Sequence, residues 1–178
     1  MRRVFRRQIR KTLAANVPPI LQEANFAFDK GEYGRAAELF EQIAQTTDAR
    51  GGPRAPRFHL QAGRARILAG QTQLGMPSLK RGLELLSLHK QFPQLQKTGR
   101  RVITELNEKG LKNEATDIEM WLESIILLSP TFEIEEASIK RPTLPTHCPS
   151  CGAALQADEV AWLDDLTAEC AYCGSPVR

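Results

Sequence analysis

All four cysteines of the chain stand near its C-terminal end, as Cys148-Pro-Ser-Cys151 and Cys170-Ala-Tyr-Cys173. Two residues between thiols allow one tight turn to aim both sulfurs at a single ion, and two such turns at this separation supply the four thiolates of a tetrahedral zinc site. Gly152 and Gly174 follow the second cysteine of each pair. Glycine accepts the positive φ that lets backbone N–H groups turn back toward sulfur. Pro149 and Pro176 stiffen the chain around the turns. Two disulfides or a redox dithiol are the competing chemistries. The first would suit an oxidising compartment, but no N-terminal signal peptide is visible. The second needs a single CxxC at a helix start in a βαβ setting, which is absent. Iron is the rival ion, because tetrahedral thiolate sites take either metal. With all four positions filled by protein, no coordination site stays open for water, so the expected role of one Zn2+ is structural.

Between the cysteine pairs, Glu159–Leu163 and Leu166–Glu169 flank Asp164-Asp165 and read as two short strands and a turn. Residues 146–178 with their two CxxCG knuckles resemble a zinc ribbon. So small a module buries little core, and metal binding supplies much of its folding free energy. His147 is read as an exposed linker histidine beside a complete ligand set. Trp162 is either a recognition aromatic or the main apolar plug.

The residues ahead of the ribbon follow a helical period. Pro18-Pro19 suits a helix start, and Ile20, Ala24, Ala27 and Phe28 recur at three- and four-residue steps before Gly31. Ala36, Ala37, Phe40, Ile43 and Ala44 form the next stripe. Leu60, Ala62, Gly63, Ile67 and Leu68 precede Gly70; Leu79, Leu83 and Leu86 follow it, with Pro77 expected in a first helical turn. A third unit has Leu95, Val102, Ile103 and Leu106 before Gly110, then Ala115, Ile118, Trp121, Leu122, Ile125 and Ile126. The turn glycines Gly31, Gly70 and Gly110 stand at nearly equal intervals. Such spacing predicts antiparallel helix pairs that bury a continuous core by stacking.

Residues 20–52 resemble a tetratricopeptide repeat, with Ala24, the Gly31-Glu32-Tyr33 turn, Ala36 and Phe40 at that family's small, turn, small and aromatic positions. Ile20 stands where the family has an aromatic, and Gly75 where the second unit would have a packing alanine. The resemblance implies a concave surface that binds a protein or peptide through the first helix of each pair. Asn25, Asp29, Arg64 and Arg66 are its candidate contacts; the alternative is that they are solvated polar positions.

Composition fits this reading. The chain has 178 residues, 42% hydrophobic and 25% charged, at a formal net charge of +3. These fractions exclude wholesale disorder, a collagen and a disulfide miniprotein, and no apolar run approaches the ~18 residues of a membrane span. The charge is unevenly placed: +6 over residues 1–22, +1 over 23–145 and −4 over 146–178. Arg2, Arg3, Arg6, Arg7, Arg10 and Lys11 surround Phe5, Ile9 and Leu13 at four-residue steps. An amphipathic arm of this kind packs on the first repeat, lies on an anionic membrane, binds nucleic acid or serves as a targeting segment.

The expected architecture is mainly α: an arm over 1–18, antiparallel helix-pair repeats over 19–128, a semi-extended linker over 129–146 leaving the ribbon mobile, and a small β zinc ribbon over 147–178. No nucleophile elbow, HExxH, P-loop or dinucleotide glycine motif occurs. The expected function is a non-enzymatic adaptor or scaffold, cytoplasmic and open to membrane association through the arm, with no small-molecule substrate evident. The alternatives are a nucleic-acid-associated factor using the arm and a peripheral membrane assembly factor.

Overall fold

The computed structural model describes residues 17–126, 143–157, 160–162 and 166–178. Residues 1–16 of the basic arm, residues 129–142 of the linker and the Asp164-Asp165 turn lie outside them. Six helices follow in chain order among the described residues: α1 (Pro19–Asp29), α2 (Tyr33–Ala49), α3 (Ala55–Leu68), α4 (Thr72–Leu88), α5 (Phe92–Glu108) and α6 (Lys112–Ile126). Three two-residue strands, β1 (Ala161–Trp162), β2 (Ala168–Glu169) and β3 (Pro176–Val177), form an antiparallel sheet in the order β1-β2-β3. Ala161 faces Glu169, and Ala168 faces Val177. The protein is thus mainly helical with a small C-terminal sheet.

The helix endings share one design. After α1, Gly31 at φ +78° lets its N–H bond the Phe28 carbonyl at 3.0 Å, while Glu32 N–H bonds the Ala27 carbonyl at 2.9 Å. This pair of bonds satisfies carbonyls that the helix end would leave unpaired. The equivalent bonds recur around Gly51, Gly70, Lys90 and Gly110. Each interval between the turn glycines Gly31, Gly70 and Gly110 is therefore divided by a second break of the same kind. These second breaks are harder to see, because α2 runs to Ala49, shortening the expected 47–56 loop, and because Lys90 takes the left-handed position at φ 57° without being a glycine.

Helix α4 departs from expectation. It starts at Thr72, so Pro77 lies inside it and not in its first turn. Close approach of α3 and α4 explains the neighbouring glycines: a Cβ on Gly75 would meet the Gly63 carbonyl oxygen at 2.8 Å, and one on Gly63 would meet that of Gly75 at 2.9 Å. Two backbones in contact leave no room for the alanine a repeat would place at 75.

The core has two parts. Leu79, Leu83, Leu86, Leu95, Val102, Leu106, Ala115, Ile118 and Leu122 join α4, α5 and α6. Leu21, Ala24, Ala27, Ala36, Ala37, Phe40, Ala44, Phe58, Ala62 and Ala65 join α1, α2 and α3, and this cluster continues into Cys148, Cys151, Ala153, Ala168, Cys170, Tyr172 and Val177 of the ribbon. Leu21, not Ile20, is the α1 residue that enters it. A polar brace crosses the middle helices. Asp48 accepts from Arg81 Nε at 3.0 Å and lies 3.2 Å from His59 Nε2, tying the end of α2 to α3 and α4. No described helix is long and apolar enough to cross a membrane.

Urea unfolding will separate the glycine contacts. Gly75→Ala is expected to lower stability by about 1–3 kcal/mol because backbone must move; Gly99→Ala will cost less, since its nearest neighbour is the rotatable Leu122 side chain. Lys90→Gly should add about 1 kcal/mol by removing left-handed strain. Stability should also fall on acidification through this brace. Burial pushes the His59 imidazole below its ordinary value, so below pH ~6.5 the unfolded chain takes up a proton that the folded one refuses. The hydrogen bond from Arg81 holds the Asp48 carboxyl low, so its contribution is lost at more acid pH as it protonates. Arg81→Gln should flatten chiefly this lower limb in unfolding curves taken between pH 7 and 3.

Candidate metal centre

The two cysteine turns have matching backbone bonds. In the first, Gly152 N–H bonds the Cys148 carbonyl at 2.9 Å and Cys148 N–H bonds Ala153 O at 2.8 Å. In the second, Gly174 N–H bonds Cys170 O at 2.9 Å and Cys170 N–H bonds Ser175 O at 2.8 Å. Gly152 and Gly174 sit at φ +75° and +77°, as the turns require. The sheet anchors the second turn on both sides, because β2 leads into Cys170 and β3 follows Ser175.

All four sulfurs lie within 4.8 Å of one another. Cys148 Sγ is 3.7 Å from Cys173 Sγ, and Cys151 Sγ is 3.8 Å from Cys170 Sγ. A tetrahedron with metal–sulfur bonds of about 2.3 Å has edges of about 3.8 Å, so the cluster is the right size for one ion. The cysteines form no disulfide, and the sulfur separations far exceed the ~2.05 Å of one. Protonation is contested among the thiols. Cys151 draws Cys148 down to about 6, and Cys148 in turn draws Cys173 down. Cys151 and Cys170 are pushed up, each chiefly by Cys148. Only a cation permits four ionised sulfurs at this distance. The donor set fits a four-thiolate metal centre held by Cys148, Cys151, Cys170 and Cys173.

Ser175 supplies a contact beyond the four ligands. It is 1% exposed, and its hydroxyl oxygen lies 3.1 Å from the sulfur of Cys173, the most exposed cysteine of the set. With a thiolate at 173, the hydroxyl donates to it. His147 is exposed, 3.5 Å from Asp29, and outside the cluster. Trp162 is half-buried, packs against the cluster that ribbon and helices share and donates to Ala157 O at 3.4 Å.

The ribbon is seated on the helices rather than held loosely. Buried Asn25 in α1 donates to the Cys151 carbonyl at 2.8 Å, and Gln22 donates to Ser150 O at 3.0 Å. From α3, Gln61 donates to the Tyr172 hydroxyl at 2.5 Å and Arg57 lies 5.9 Å from the Tyr172 ring centre. Arg54 pairs with Glu169 at 3.4 Å. The ribbon, expected to be mobile on its linker, rests in this structure against α1 and α3 through these contacts.

The four polar residues expected to meet a partner each have a contact within the chain. Asn25 and Asp29 face the ribbon. Arg64 pairs with Glu105 of α5 at 2.9 Å, and Arg66 makes two bonds to Glu41 of α2, at 2.7 and 2.6 Å. Each holds the chain to itself. Arg2, Arg3, Arg6, Arg7, Arg10 and Lys11 lie outside the described residues. Gln22, Gln61, Arg54, Tyr172 and Ser175 went unnoticed in the sequence. Their only signal was an amide interrupting two small, apolar helix faces at 25 and 61.

The purified chain should carry one metal equivalent. Cys151→Ser is expected to abolish retention after gel filtration, whereas Ser175→Ala should keep the ion but release it faster to a chromogenic chelator. Ligand thiols must be deprotonated, so acid should expel the metal, with release increasing as pH falls below neutrality. Metal content unchanged by Cys151→Ser would overturn the site.

No family model, curated protein or solved structure matches the chain.

Proposed function

We propose that the chain is a non-enzymatic adaptor in which stacked helices grip a protein partner and a structural zinc ribbon completes the gripping surface. One observation carries this reading. A cleft runs between the first helices of the second and third pairs, with Arg57, Gln61 and Arg64 on α3 and Gln94, Thr98, Arg101 and Glu105 on α5. Tyr172 of the ribbon also lines it. These residues recur at three- and four-residue steps, so each helix offers one continuous polar stripe to the cleft. The tetratricopeptide resemblance implies binding on this side.

Zinc is the ion that best suits a closed four-cysteine site. Its coordination is complete, which supports a role in shape and not in chemistry. Asp48, the carboxylate in contact with a half-buried histidine, is committed to Arg81 and His59 as a brace between helices. Ligand cysteines kept as thiolates suit a reducing compartment and support a cytoplasmic setting.

Affinity capture with the tagged full chain should return a stoichiometric protein partner. The pair Gln94→Arg and Arg101→Glu inverts the α5 stripe and is expected to reduce recovery at least tenfold, with helical circular dichroism and metal content unchanged. Equal recovery by both chains, or none by either, would overturn the reading.

A further inference from the structure

The seat of the ribbon is itself a first-helix surface. Gln22, Asn25 and Asp29 are successive positions on one face of α1; Arg54, Arg57 and Gln61 lead along the matching face of α3. The ribbon occupies this face much as a bound segment would. Two side-chain amides hold backbone carbonyls, from Gln22 to Ser150 and from Asn25 to Cys151. A guanidinium holds a carboxylate, Arg54 to Glu169. A tyrosine lies under Arg57 and against Gln61.

Charge sorts the same way. Residues 146–178 carry −4 before any metal is counted, and four thiolates around a divalent ion add about −2. Among the described acidic residues of the ribbon, Glu169 meets Arg54. The fit is incomplete at one atom: Gln61 Oε1 is buried with no hydrogen-bond partner among the described residues, a cost that water would relieve on separation. The helices beneath have apolar contacts of their own through Ala24, Ala27, Ala36, Phe40, Ala62 and Ala65.

We infer that the ribbon is a displaceable internal occupant of the α1–α3 face, and that this face binds an acidic, tyrosine-bearing protein segment when the ribbon leaves it. The inference rests on the adaptor reading and adds its regulation. The metal keeps the ribbon folded, so the loaded ribbon covers the face and its loss joins that face to the α3–α5 cleft.

The test uses the full chain with reductant present, loaded or stripped with EDTA, and a random glutamate–tyrosine copolymer as probe. Stripping is expected to speed amide hydrogen exchange in α1 and α3 while helical circular dichroism persists. Copolymer affinity should rise at least tenfold, polylysine should gain nothing, and Arg54→Ala with Arg57→Ala should erase the gain. Asn25→Leu should reproduce the gain with metal still bound, independently of stripping. Loss of the helical signal on stripping would make the ribbon an integral layer and overturn the inference. So would unchanged exchange, or faster exchange without tighter copolymer binding. A partner captured through the α5 stripe equally well with and without metal would leave the adaptor reading standing and remove only the gate.

Discussion

Four sulfurs within 4.8 Å of one another set the condition on which the C-terminal module of this protein depends. As thiols they compete for protons; as thiolates they repel. A cation turns the repulsion into the main cohesive term of a module whose strands are two residues long. The consequences reach well beyond the ribbon. Cys148, Cys151 and Cys170 belong to the same buried cluster as Phe40 and Phe58. Ion binding is thereby coupled to helices from the opposite end of the sequence, while the α4–α6 core has no ribbon residue in it. The buried cluster shared with the cysteines and the α4–α6 core are thus separate, divided near the α3–α4 contact.

That contact is unusual in its closeness. Gly63 and Gly75 bring two helix backbones together, and Gly82 does the same against Pro56 and Leu60. Small residues here let backbone approach backbone, so a shift of one helix is felt directly by the other. The Asp48, His59 and Arg81 brace spans the same junction from its polar side. The equivalent helix endings at Gly31, Gly51, Gly70, Lys90 and Gly110 fix the angle at which each helix re-enters the stack.

The sequence made the metal ligands legible because the chemistry is local: a CxxCG turn carries its geometry within itself. Helix pairs were legible for the same reason, through glycine and apolar period. Seating of the ribbon was not. The Asn25 bond joins positions 126 apart, and an asparagine on a helix looks alike whether it meets solvent or a buried carbonyl. The ion pairs of Arg64 and Arg66 were hidden in the same manner, since pairing with Glu105 and Glu41 depends on which helices become neighbours. Lys90 hid a turn by taking a glycine's conformation, and Pro77 hid the start of α4. The strand at Pro176–Val177 escaped because so short a segment makes no pattern.

Sharing a core between distant parts of a chain also has a cost in time. Helices α1 to α3 are complete at Leu68, yet the module that covers them does not begin to emerge until Cys148. At synthesis rates of about 5–20 residues per second, the half of the protein made first waits on the order of 4–16 seconds for its cover. During that interval the α4–α6 half can finish folding and the earlier half presents Leu21, Asn25 and Gln61 to the surroundings. The helices that carry this face are therefore made well before the module that covers them, and the face stays open to water over that interval.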